Sequence, residues 1–90
     1  MNGGDEKLPA IDFSMFVMSL SHSVLVHLGD ATLPDGTRSE INLPLARQTI
    51  DLLGILQEKT KNNLDGEEER LLDQSLLDLR LRFVEVSKGK

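Results

Sequence analysis

The stretch from Asp12 to Leu28 constrains this 90-residue chain more than any other. It reads Asp-Phe-Ser-Met-Phe-Val-Met-Ser-Leu-Ser-His-Ser-Val-Leu-Val-His-Leu and carries both histidines of the chain. Asp12 or Ser14 can accept hydrogen bonds from the unpaired N–H groups of a first helical turn. Gly29 suits the position just past a helix end, because it tolerates the left-handed conformation. The pattern therefore predicts a helix over 13–28. At about 100° per residue, Phe13, Phe16, Val17, Leu20, Val24 and Leu28 share one face. Met15, Met18, His22, Leu25 and Val26 share the opposite face, and Ser14, Ser21, Ser19 and Ser23 lie between. A surface helix is apolar on one side; this one needs cover on two. A bilayer span needs about 20 apolar residues, and this run is shorter and broken by serines and histidines, which argues against a membrane span.

Size explains why the second face matters. Ninety residues make one domain, read as an arm over 1–8, a helical domain over 9–87 and a tail over 88–90. A chain this short buries only roughly 60–65% of its unfolded surface, which leaves a net stability on the order of 5 kcal/mol. There is no cysteine to form a disulfide, and two histidines alone do not make a structural zinc site. Association is the remaining common source of stability. The formal charge of −5 argues against a nucleic-acid partner and against docking on anionic lipid. The lack of cysteine fits a cytoplasmic location, and Met1–Pro9 mixes charges without a secretory pattern.

Two further helices follow from the pattern. Leu33-Pro34-Asp35-Gly36 has turn chemistry, so 30–41 reads as an irregular connector, with a short hairpin left open. Asn42 caps a helix over 43–61, with Pro44 in its first turn and Ile41 and Ala46 placed for a hydrophobic staple. Leu45, Ala46, Thr49, Ile50, Leu52, Leu53 and Leu56 form its apolar face, and Ile55 falls outside it. Asp65 with Glu68 forms a capping box for a helix over 66–87. Glu67–Glu69 at its start and Arg80, Arg82 and Lys88 towards its end complement the helix dipole. Leu72, Leu76, Leu79, Phe83 and Val86 recur at four-three spacing, and Leu77, Leu81 and Val84 make a second stripe opposite. The fold class is all-α: three helices, the second and third as an antiparallel hairpin and the first packed across it.

Several chemistries are set aside on spacing. His22 and His27 are five apart, whereas two ligands on one helical face need three or four; the bland alternative is a satisfied histidine at the edge of a packed face. Gly54–Thr60 has the outline of a phosphate loop, but Glu58 stands where the second glycine is needed and the segment is helical. Asn63, Asp65 and Gly66 have the outline of a calcium loop, but Lys61 and Leu72 then fall where acidic ligands are required. Asp51, Asp73 and Asp78 lie on polar helix faces. No catalytic residue, metal ligand or cofactor site is assigned.

The runs Ile11–Leu20, Val26–Gly29, Ala46–Thr60, Glu67–Leu72 and Asp78–Val84 resemble the small bacterial family described as domain of unknown function 1844. The similarity spans about Leu8 to Val86. It implies a compact, cytoplasmic bacterial protein and no particular activity. In the family pattern a hydroxyl residue commonly opens the third helix; Asp65 stands there in this chain.

The functional expectation is a non-enzymatic module that forms a homodimer or higher oligomer through Met15, Met18, His22, Leu25, Val26, Leu77, Leu81 and Val84. A three-helix monomer has only two layers and leaves such faces uncovered, and large exposed apolar patches mark interfaces. The alternatives are an adaptor binding an unidentified partner's helix through the Met15, Met18 and Leu25 face, a peripheral membrane protein using its first helix, and a small-molecule site using His22 or His27.

Overall fold

The computed structural model describes residues 12–89; the arm expected over 1–8 and the last residue of the tail lie outside them. Three helices pack against one another: α1 (Phe13–His27), α2 (Leu43–Lys59) and α3 (Gly66–Lys88). There is no strand among the described residues, so the all-α reading holds.

Local chemistry sets the helix ends. Asp12 Oδ1 accepts from the Met15 N–H at 2.9 Å. Asn42 Oδ1 accepts from the Leu45 N–H at 3.0 Å. Asp65 Oδ1 accepts from the Glu68 N–H at 2.8 Å, and Glu68 Oε1 accepts from the Asp65 N–H at 3.0 Å, a complete capping box. α1 ends in a Schellman motif with Leu28 as its cap: Gly29, at φ +79°, donates to the Val26 carbonyl and Asp30 to that of Leu25. α2 stops at Lys59, two residues short of the expected 61. The Thr60 hydroxyl donates to the Leu56 carbonyl at 2.6 Å, and Asn62 takes φ +71°. Asparagine is among the few residues with a side chain that visit this left-handed region, so it turns the chain before the helical pattern runs out. α3 runs one residue further than expected, to Lys88, with Gly89 as its cap.

The connector is a turn with a single antiparallel bridge, Thr32 to Arg38, rather than a hairpin of strands. Gly36 donates to the Leu33 carbonyl at 2.8 Å, and Asp35 Oδ1 accepts from both the backbone N–H and the hydroxyl of Thr37. Three bonds tie the segment to the end of α1. Ser39 Oγ donates to the Val26 carbonyl at 2.9 Å, Arg38 to that of Gly29, and the Asn42 N–H to that of His27.

Each helix gives three apolar side chains to the core, counting the cap residue Leu28 with α1. Val17, Val24 and Leu28 meet Ala46, Ile50 and Leu53 from α2 and Leu72, Leu76 and Leu79 from α3. Thr49 is buried with them, its hydroxyl satisfied by the Leu45 carbonyl at 3.0 Å. Three placements differ from the sequence pattern. Phe16, expected inward, is 44% exposed, and Leu45 and Leu52, expected on the buried face of α2, are exposed as well. One residue is a step of about 100°, so Phe16 beside Val17, Leu45 beside Ala46 and Leu52 beside Leu53 land at the rim of the packed arc.

Among the described residues one ion pair joins distant segments. Arg82 grips Asp30 with two bonds, Nε to Oδ2 at 2.6 Å and Nη2 to Oδ1 at 2.8 Å, and also reaches Glu85 at 3.1 Å. The Arg82 hydrogen bond holds the Asp30 carboxyl below its ordinary value of 3.8, against a small opposing effect of burial. A carboxyl with a depressed folded pKa stabilises above its unfolded pKa and loses that contribution as pH falls through the folded one. Wild type is therefore expected to lose more stability than Asp30→Asn on acidification from about pH 5 to below the ordinary Asp value. Urea midpoints of the two proteins at both pH values check this; parallel losses would show that the pair carries no linkage.

Candidate interaction surface

The carboxylates and histidines are spread out over the three helices. Asp51, Asp73 and Asp78 are exposed; Asp73 accepts from Gln57 at 2.6 Å and Asp78 from Gln74 at 2.9 Å. Among the described residues no group of three or more His, Asp or Glu side chains is placed to hold a metal ion. No described helix is long and apolar enough to cross a membrane. His22 and His27 border one shallow cleft, but its other walls are Ser23, Val26, Thr32, Leu33 and Pro34, with no carboxylate among them. A cavity of about 210 Å³ at the α2–α3 turn is lined by Glu58, Lys61, Glu69 and Asp73 with amides and Leu72, charges of both signs that converge on no single ligand type.

Apolar surface is what the molecule offers instead. Met15 and Met18 stand outward on α1, Met18 at 59% exposure, and with Ser19 and His22 they line an open groove. Leu77, Leu81 and Val84 form an exposed stripe on α3, Leu81 at 58%. Met15, Met18, His22, Leu77, Leu81 and Val84 thus all sit in the open.

Leu25 and Val26 are placed differently from the rest of the predicted set. Leu25 packs against the core and lines a cleft with Ser75, Asp78, Leu79 and Arg82 of α3. Val26 is half-buried beside the connector residues Thr32, Leu33 and Pro34. The connector thus covers the C-terminal part of the second face of α1, and only its N-terminal part stays bare. The predicted residues also fall on two surfaces, one on α1 and one on α3. The stripe on α3 lies past Asp73 and Arg80, which approach α2 at Gln57 and Gly54.

A third apolar group was missed by sequence reasoning. Leu45, Leu52 and Ile55 are exposed along α2, Ile55 at 54%. Their spacing of seven and three is the signal, since it repeats the i, i+3, i+7 rule of a helical face. It was hidden because the first two also fit the buried stripe.

The family model described as domain of unknown function (DUF1844) matches residues 10–85. No curated protein and no solved structure matches the chain.

Proposed function

As the chain belongs to the DUF1844 family, whose description assigns no activity, we propose that it is a non-enzymatic, self-associating helical module of the cytoplasm, a homodimer or higher oligomer. One observation carries this reading. All three helices keep large apolar side chains in solvent: Met15, Phe16 and Met18; Leu45, Leu52 and Ile55; Leu77, Leu81 and Val84. Scattered exposed apolar residues are ordinary. Exposed apolar side chains on every helix of a 90-residue domain, in stripes on α2 and α3 and on two faces of α1, are not, and contiguous patches mark contact sites. The small core points the same way, since a domain of this size gains what it lacks by association.

Sedimentation of the full chain tests the proposal. Its mass is expected to rise from 10.0 kDa towards a multiple of that value between about 1 and 200 µM, the range in which weak specific interfaces saturate. A single species at 10.0 kDa throughout would overturn it.

A second reading is favoured by the groove along Met15, Met18, Ser19 and His22. Methionine adapts to varied apolar partners, so this surface suits an amphipathic helix from another protein. A stoichiometric foreign partner co-purifying from the native cell, and lost on Met18→Glu, would favour this adaptor reading over self-association.

A further inference from the structure

The tip of the connector is bonded mainly to itself. Leu33 donates to the Thr37 carbonyl at 2.6 Å and Gly36 to that of Leu33 at 2.8 Å, while Asp35 Oδ1 accepts from the Thr37 N–H at 3.0 Å. The Thr32–Arg38 bridge closes the turn. Its polar ties to α1 come from its base, where Ser39 Oγ donates to the Val26 carbonyl and Arg38 to that of Gly29.

The two feet beyond that base are pinned. The Asp30 N–H donates to the Leu25 carbonyl at 2.8 Å, and its carboxylate is gripped by Arg82 of α3. On the other side the Asn42 N–H donates to the His27 carbonyl at 2.8 Å. Ala31 joins the turn to the first foot, and Glu40 and Ile41 join it to the second. Between fixed feet, a turn that carries its own hydrogen bonds can move as one piece.

Little holds the turn down. Asp35, Gly36 and Thr37 are exposed. Val26 and Leu33 are half-buried and line one cleft, yet neither packs on the core. Segments with few buried apolar contacts and solvent-exposed hydrogen bonds open before the core does.

The surface under the turn continues the Met groove. His22 lines both the open groove of Met15, Met18 and Ser19 and the cleft that holds Val26 and Leu33. Met15, Met18, His22 and Val26 follow at steps of three and four, so they share one stripe of α1. At about 1.5 Å per residue, the bare part from Met15 to His22 is about 10 Å long and the stripe as far as Val26 about 16 Å. A bound helix places an apolar anchor at every turn of such a groove, and at the last of these turns Leu33 stands in the way.

We propose that residues 31–37 are a strap that swings off α1 as a unit and lengthens the Met-lined groove from His22 to Val26. Closed, it is an autoinhibitory contact, with Leu33 covering the end of the groove. The strap rests on the adaptor reading above for what the groove holds, and it adds a control on access to it.

The chain has no cysteine, so a single introduced thiol reports one position. Iodoacetamide labelling of the full chain is compared for Val26→Cys under the strap, Met18→Cys in the open groove and Leu53→Cys in the core, each rate divided by its value in urea. Circular dichroism checks that every variant folds. Val26→Cys is expected to react at least about tenfold more slowly than Met18→Cys, and faster than Leu53→Cys, through local opening. Adding Ser39→Ala, which removes the hydroxyl tie, is expected to speed Val26→Cys by roughly two- to tenfold, the effect of one net hydrogen bond. Leu33→Ala, which removes the apolar cover, is a second variant with the same expected direction. Leu53→Cys is expected to keep its rate in both backgrounds. Val26→Cys reacting as fast as Met18→Cys would overturn the strap. So would a Val26→Cys rate that neither variant moves, or a Leu53→Cys rate that rises in parallel, which is opening of the whole domain. No partner enters this measurement, so the adaptor reading can fail while the strap stands. A co-purified partner together with an unmoved Val26→Cys rate would leave the adaptor and remove the strap.

Discussion

Leu53→Ala is expected to lower the unfolding free energy by about 2–5 kcal/mol, the range for a buried leucine truncated in a closed core. Leu53 has no exposed surface and packs among Val17, Val24, Leu72 and Leu76 in one cluster fed by all three helices. The loss combines the transfer free energy of the removed carbons with a cavity that neighbours cannot fully close. A domain of this size holds on the order of 5 kcal/mol, so the variant is expected to be largely unfolded near 37 °C. Urea denaturation followed by circular dichroism measures it, with exposed Arg70→Ala on α3 as the reference at about ±0.5 kcal/mol. A loss below about 1 kcal/mol would mean that the site collapses freely and that the core is not closed as described.

Gly29→Ala is the second large effect. Gly29 sits at φ +79°, where a residue with a side chain pays about 1–2 kcal/mol. A Cβ there would also stand 3.2 Å from Ile41 Cγ1, tighter than ordinary van der Waals contact. Gly36 offers an internal control: its φ is +90°, but a Cβ there would have nothing within 4 Å. Gly29→Ala is therefore expected to destabilise more than Gly36→Ala, the difference reporting the closeness of Ile41 to the end of α1. Urea midpoints of the two variants measure it. Equal losses would show that backbone strain alone acts at Gly29 and that Ile41 yields without cost.

Much of the fold was legible because it is written locally. Asp12, Asn42 and Asp65 each lie beside the N–H groups they satisfy, and no distant residue is needed to place them. The three-four spacing of Leu72, Leu76 and Leu79 puts them inside, and that of Leu77, Leu81 and Val84 puts them outside. The end of α2 was less legible. The apolar pattern continues to Leu56 and Gln57, Glu58 and Lys59 after it favour helix, so the pattern gives no stop before the left-handed Asn62 turns the chain.

The candidate surface was legible in part. Periodicity separates the faces of a helix, but it does not say which neighbour stands at each flank. Leu25 lay on the predicted outer face, and α3 came to it. Val26 lay there too, and the connector came to it. Phe16 and Leu52 were assigned inward, and no third layer came to them. The Asp30–Arg82 pair joins residues 52 apart in sequence, with no local pattern linking them.

By itself the sequence determined three helices, their N-terminal caps, an apolar face on each, and an excess of apolar surface over what such a small bundle can hide. These follow from period and from chemistry within one helical turn. Only the tertiary structure decided which of the apolar flanks are covered. That depends on which helix lies against which flank and on where the connector folds back, and both are set by contacts between residues far apart in the chain, whose pairing no local period encodes.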